Sequence, residues 1–244
     1  MILREQQGGV QIVTLDRPHK RNALSAGMLD ELRGCLNDAL AKSPRAILLR
    51  GSGDSFCSGF DLSACRDDPA VLGDLLTSLF SVISVIRGVP CPVVIAAQGA
   101  AIAGGCALLC GADFVVTNTE AKLGYPVVRL GISPAVTAPF LRATVGDART
   151  RELLLEGALI NGASAHACGL ASHCVPTSME VVPQALAIAQ HLAEKPPLAM
   201  VATRRWLNEL EDTSTAQARS GLNASLSIVG SDEQNERLAK LWAK

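Results

Sequence analysis

Apolar residues follow two different periods along this chain, and the switch between them predicts its elements. Residues 2–4 and 10–15 are short β patterns separated by Gly8-Gly9, the arrangement of a hairpin. Asp16-Arg17-Pro18 then breaks the sheet. Ser25 is a good N-cap for a helix in which Met28, Leu29, Leu32, Leu36, Ala39 and Leu40 recur at helical spacing until Pro44. The apolar run 46–49, closed by Gly51, reads as a buried strand. Helical spacing returns over 70–86, and Pro90 and Pro92 introduce a strand over 93–97. The small-residue stretch 100–105 then leads into an apolar helix through Leu108 and Leu109 and a strand at 114–116. Strand, Gly-rich turn, helix and strand thus occur twice.

Beyond Pro134 the pattern predicts mostly helices, over 135–143, 147–156, 164–168, 179–194, 198–210, 215–229 and 232–242. This is an α/β or α+β layout, with a core over residues 1–175 and a helical region over 176–244. The last helices are expected to fold back or to pack on a partner subunit. No solenoid repeat, charge block or low-complexity tract interrupts it.

Composition narrows the class. The chain is 48% hydrophobic and 18% charged with one Tyr, two Trp and five Phe, so its core is expected to be Ala, Val, Leu and Ile. Lys and Arg number 22 against 23 acidic residues, and no basic stripe suits nucleic acid. The eight cysteines lie among apolar neighbours without CxxC pairs or zinc spacing, and read as reduced core residues of a cytoplasmic protein. Residues 1–10 lack the apolar core of a signal peptide, and no apolar run is expected to span a membrane.

Two Gly-containing loops carry the candidate chemistry. Gly51 to Leu62 leaves a buried strand and turns into a short helix, and Gln98 to Cys106 does the same after the next strand. N–H groups at a helix start lack intrahelical acceptors and favour negative charge, and small residues let a ligand approach the backbone. One such loop would be a tight turn of a packed protein; two in successive units strengthen the functional reading. Neither contains GxxxxGK[ST] or GxSxG, and Gly51-x-Gly53 lacks the third glycine of a dinucleotide fingerprint.

The segments Leu15-Asp-Arg-Pro-His-Lys-Arg-Asn-Ala-Leu24, Phe56-Cys-Ser-Gly-Phe-Asp-Leu62 and Gln98-Gly-x-x-x-x-Gly104-Gly-Cys106 occur in order. Leu123-Gly-Tyr-Pro126 and Arg129-Leu-Gly-Ile-Ser-Pro134 follow. Together they resemble the crotonase (enoyl-CoA hydratase/isomerase) superfamily over nearly the whole length. The resemblance implies a spiral of ββα units with a C-terminal helical trimerisation region. It implies an acyl-CoA thioester as ligand, with the backbone N–H groups of Phe60 and Gly104 as its oxyanion hole. It places Arg21, Ala23, Leu24, Ser58, Asp61 and Leu62 near the coenzyme A. No further cofactor and no metal is implied, coenzyme A being part of the substrate. A homotrimer or dimer of trimers is expected, through apolar positions such as Leu222, Leu226 and Val229, with Trp242 and Lys244 reaching a neighbouring ligand site.

The chain departs from the family pattern where hydratases carry two glutamates, since Ala107 and Val127 stand there, and Ala135 stands where some isomerases carry an acid. Candidate polar helpers are Tyr125 and Arg129. Asp61 reads as a helix-start cap, Ser133 as a turn residue, and Cys57 and Cys106 as inert buried thiols. Three functions remain open at this level: a hydratase/isomerase-like lyase with rerouted proton transfer, an acyl-CoA decarboxylase in which Arg129 steers a carboxylate, and a non-catalytic acyl-CoA-binding scaffold.

Overall fold

A computed structural model describes residues 1–211 and 215–243, with the side chains of 40–42 and 215 left aside; Leu40 and Lys244 therefore fall outside what is described. The expected hairpin is formed by β1 (Ile2–Gln7) and β2 (Val10–Leu15), antiparallel with Ile2 opposite Leu15. Helix α1 (Ala26–Lys42) starts where Ser25 Oγ accepts Met28 N–H at 3.3 Å, the predicted cap. Then come β3 (Ala46–Gly51), α2 (Ala70–Gly88) and β4 (Val93–Ala97). The second Gly-rich loop contains β5 (Ala100–Ile102) and opens α3 (Gly104–Leu109), before β6 (Phe114–Asn118) and β7 (Lys122–Gly124).

Helix α4 (Ala138–Glu156) is continuous by hydrogen bonding but broken at Gly146, whose φ of 77° and ψ of 171° separate the two helices the sequence predicts. β8 (Leu159–Asn161), α5 (Gly162–Ala167) and β9 (His173–Val175) follow. The C-terminal helices are α6 (Ser178–Ala193), α7 (Pro197–Leu210), α8 (Thr215–Leu226) and α9 (Asp232–Trp242). β7, β8 and β9 were not expected from the pattern. Each is three residues long, too short to show a period.

Six strands form one sheet in the order β1-β2-β3-β4-β6-β9, parallel from β2 onward. A second sheet runs β5-β7-β8. The parallel strands are buried on both faces, which explains their continuous apolar sequence. Val13, Leu15, Ile47, Leu49, Val93 and Ile95 face α1, α2 and the main core. Val10, Ile12, Ala46, Leu48, Val94 and Ala96 face Val181, Ala185 and Ala189 of α6. A division at residue 175 thus falls between the sheet and the helix that covers its second face.

Helix α2 corrects an expectation. It is 19 residues long with a mean hydropathy of 1.7, enough by length and composition to cross a membrane. Its Leu72, Leu75, Leu76, Leu79, Val82, Ile83 and Ile86 are buried in this core, the environment of a core helix. The stripe Leu222, Leu226 and Val229 also turns inward, with Leu226 and Val229 beside Gly73 of α2. Several exposed apolar side chains lie on α7, at Leu198, Val201, Trp206, Leu207 and Leu210, and others on neighbouring elements, such as Met179 of α6 and Leu155 of α4. Trp242 stacks on Arg66 of its own chain, 5.7 Å from guanidinium carbon to ring centroid.

Only Arg204 of α7 is buried. Its Nε donates to both carboxylate oxygens of Asp113 at 2.8 and 2.9 Å, its Nη1 to the Arg87 and Val89 carbonyls, and its Nη2 to the Ile86 carbonyl. It therefore neutralises Asp113 and satisfies the last carbonyls of α2, which have no intrahelical donor. Arg204→Ala would leave Asp113 without its counter-charge and the Ile86 carbonyl without this donor, while Val93 N–H and Asn208 Nδ2 would still serve Asp113 and Arg87 O. The expected loss is about 1–3 kcal/mol of unfolding free energy, measured by denaturant titration.

Candidate functional site

β3 and β4 are parallel neighbours, Ile47 beside Val93, so both Gly-containing loops leave the same end of the sheet. There residues 21–24, 56–61 and 98–102 lie side by side. Ser58 N–H donates to Arg21 O at 3.0 Å, Leu24 N–H to Gly59 O at 2.7 Å and Asp61 N–H to Leu24 O at 2.9 Å. On the other side Phe56 N–H donates to Gln98 O at 2.9 Å, Cys57 N–H to Ala100 O at 3.0 Å and Ile102 N–H to Cys57 O at 3.0 Å. The flanking bonds leave Phe60 N–H out of this ladder, and Gly104 N–H, first in α3, has no carbonyl one turn back within its helix.

The two amides lie close. Gly59 has a φ of 100°, and a methyl placed on it would sit 3.1 Å from Ala103 Cβ and from Ile102 O, and 3.8 Å from Gly104 N. The Phe60 ring lies over Gly104, where an added Cβ would be 3.2 Å from Phe60 Cε1 and 3.3 Å from Leu24 Cδ1. Phe60, Gly104 and Ala103 line one chamber with Leu76, Leu79, Tyr125, Val127, Ile132, Ser133, Pro134, Val136 and Thr137. Only about 30 Å³ of it is open to the centre of a water molecule, room for roughly two waters. Ile132, Ser133 and Pro134 also back onto a wider apolar groove of about 430 Å³.

Of the other predicted residues, Leu24 and Ala23 are buried, Ser58 and Leu62 half-buried and Arg21 exposed, all on the strip joining 21–24 to 58–62. Asp61 accepts from Ser63 Oγ at 2.7 Å and Ser63 N–H at 3.3 Å, and pairs with Arg17 Nη1 at 2.7 Å. The Ser63 hydroxyl first, and then Arg17, hold its carboxyl below the usual carboxylate range. It is a turn and ion-pair residue outside the chamber lining, and the helix-start position expected of it belongs instead to Ser63, ahead of the short helix Ala64–Arg66. Tyr125 contributes its ring to the wall, but its hydroxyl lies 3.5 Å from Cys110 Sγ. Burial raises its pKa well above normal, so it stays protonated among thiols. Arg129 is exposed and is not among the residues lining the chamber.

Of the positions where carboxylates were considered, Val127 lines the chamber, whereas Ala107 is buried in the main core. No Asp, Glu, His, Lys or Arg is among the chamber's lining residues. Burial pushes the Cys57 thiol up to about 12 and raises Cys106, so neither is a thiolate at neutral pH. Among the described residues no cluster of His, Cys, Asp and Glu has the arrangement of a metal site.

The chain matches the family model for enoyl-CoA hydratase/isomerase over residues 5–237. It belongs to that family. The enoyl-CoA isomerase/hydratase fer4 of Mycosarcoma maydis is 32% identical over 213 residues, covering 80% of this chain and 76% of that protein. Crystal structures agree with the fold. An enoyl-CoA hydratase/isomerase from Xanthobacter autotrophicus Py2 superposes with a TM-score of 0.88 at 30% identity, covering 96% of this chain and 90% of that one. Pseudomonas aeruginosa OdaA gives 0.89 at 28% identity, covering 100% and 99%. The α/β core with C-terminal helices expected from the motifs is therefore that of the enoyl-CoA hydratase/isomerase family.

Sequence reasoning missed the side chains that hold the first loop. Asn22, buried at a φ of 54°, donates through Nδ2 to Ser52 O at 2.9 Å and Ser55 O at 2.8 Å, and accepts Arg17 N–H at 2.8 Å. Gln98 Nε2 donates to Gly51 O at 2.8 Å and Gly53 O at 3.2 Å. Both residues stood inside the quoted motifs, but the partners lie about 30 to 47 positions away and leave no local signal. Ala103, just before Gly104, has φ 51° and ψ −114°, a conformation suited to glycine. Ala103→Gly should relieve this strain and raise the unfolding free energy by about 1 kcal/mol, read as a higher melting temperature.

Proposed function

We propose that the chain holds an acyl-coenzyme A thioester with its carbonyl oxygen between Phe60 N–H and Gly104 N–H and stabilises the enolate formed at the α-carbon. The observation that carries this reading is that Phe60 N–H and Gly104 N–H, on abutting loops beside an apolar chamber, have no acceptor among the described residues. The carbonyl oxygen gains negative charge as the enolate forms, so donors already aimed at it favour the enolate over the ground state. One such donor contributes roughly 3 kcal/mol. Arg21, Ala23, Leu24, Ser58, Asp61 and Leu62 form the strip against which the coenzyme A moiety would lie.

The reaction is hydratase/isomerase-like but without positioned carboxylates, because Val127 and Ala107 occupy the places the motif pattern gives to the hydratase glutamates. Positioned acid–base groups contribute about 10²–10⁴-fold, so hydration should be slow. A non-catalytic acyl-CoA-binding role is the second reading, favoured by the lack of any titratable side chain in the lining. The decarboxylase reading loses its steering group, since Arg129 is exposed outside the chamber. The apolar face of α7 supports assembly of copies into a homotrimer or a dimer of trimers, with Leu198, Trp206, Leu207 and Leu210 covered on association.

Loss of the conjugated absorbance of crotonyl-CoA reports hydration. The wild-type rate is expected to be low and Val127→Glu to raise it tenfold or more, since that side chain alone would enter the chamber. Gly104→Pro should abolish both the gain and any basal turnover, because proline suits the first helical position but removes the donor. Unchanged turnover in Gly104→Pro would refute the oxyanion hole.

A further inference from the structure

A second pocket, of about 410 Å³, opens where β3 ends, between the start of the first Gly-containing loop and the first turn of α6, and it shares no lining residue with the apolar chamber. Two buried polar atoms of its lining residues, Gln98 Oε1 and Ser52 Oγ, have no hydrogen-bond partner among the described residues. Gln98 is 4% exposed, and its amide cannot turn over, because Nε2 already donates to the Gly51 and Gly53 carbonyls at 2.8 and 3.2 Å. Oε1 is therefore fixed as an acceptor that lacks a donor. The same two carbonyls flank Ser52, so both atoms belong to one corner of the pocket. A buried polar atom without a partner opposes folding, and a donor brought in through the pocket would recover that cost.

We propose that this pocket binds a free α-amino acid with an aliphatic side chain. Its ammonium donates to Gln98 Oε1 and Ser52 Oγ, and is balanced by Asp54 of the same lining, whose carboxylate has no hydrogen bond or ion pair among the described residues. Its carboxylate meets positive charge in Arg50, which Thr14 Oγ1 at 3.0 Å and Glu5 Oε1 at 3.1 Å hold in place. Ser178 and Met179, the first two residues of the 16-residue α6, add N–H groups that have no acceptor one turn back within the helix. Leu3, Met179 and Val182 give the lining its apolar part, which suits the side chain. Charge decides between ligand classes. A simple cation would face Arg50 and a simple anion would face Asp54, whereas a zwitterion carries a partner for each.

Titration calorimetry of the full chain with leucine, leucinamide and 4-methylpentanoate tests this, since the second compound lacks the carboxylate and the third the ammonium. Leucine should bind with a dissociation constant below about 1 mM, and each analogue about tenfold or more weakly. Ser52→Ala and Asp54→Asn should each weaken leucine binding about tenfold. Saturating leucine should also raise the melting temperature of wild type more than that of either variant. Asp54 is exposed, so its variant carries the test should Ser52→Ala not fold. No binding of leucine, equal affinity for all three compounds, or wild-type affinity for leucine in either folded variant overturns the proposal.

Discussion

Phe60 N–H and Gly104 N–H have no acceptor among the described residues, and the backbone bonding around them is arranged so that their neighbours are paired. A backbone amide removed from water is costly unless paired, so leaving two of them free requires that the neighbouring groups be satisfied. Segment 56–61 does this as the middle strip of three, bonded to 21–24 on one side and 98–102 on the other. Asn22 and Gln98 then take up the carbonyls of Gly51, Ser52, Gly53 and Ser55. Little freedom remains in the loop, and donors that need not reorganise are what makes such a site effective.

The sheet makes that arrangement possible. Because β3 and β4 are parallel neighbours, their carboxyl ends deliver both loops to one edge, the place where open α/β sheets present ligands. α2 crosses the main-core face of the sheet and lends Leu76 and Leu79 to the chamber wall, while the Arg204 clamp fixes its far end. Stability at α7 and the shape of the apolar chamber are thereby linked through one helix. Ala103 shows the opposite balance, holding a backbone conformation that disfavours a side chain while its N–H donates to Gly124 O at 2.8 Å.

Much of this was legible in the chain, and what was not has a physical reason. β4 and α9 begin and end where periodicity and capping residues place them, because long or strongly apolar elements carry their own signal. The three-residue strands do not, and they form only because partners distant in sequence offer an edge. The inward turn of Leu222, Leu226 and Val229 was equally hidden, since an apolar stripe states that it will be covered but not by what. The positions of Phe60 and Gly104 followed from motif order. The anchoring by Asn22 and Gln98 and the burial of Thr137 depend on contacts across the fold, which no local pattern encodes.

The electrostatic character of the chamber ties these observations together. Its lining holds no ionisable carboxylate, amine, guanidinium or imidazole, and the groups beneath it are kept neutral by burial: Tyr125 is raised well above its normal value, Cys57 to about 12 and Cys110 to about 11. In so apolar a setting each hydrogen bond to a developing charge is stronger than in water, and no permanent anion competes for the two amides. The same surroundings deny the protein a proton carrier of its own. On the proposed reading, a thioester bound there would have its charged state favoured while the movement of protons fell to the ligand or to solvent, so the substituents on the acyl group would decide what chemistry follows.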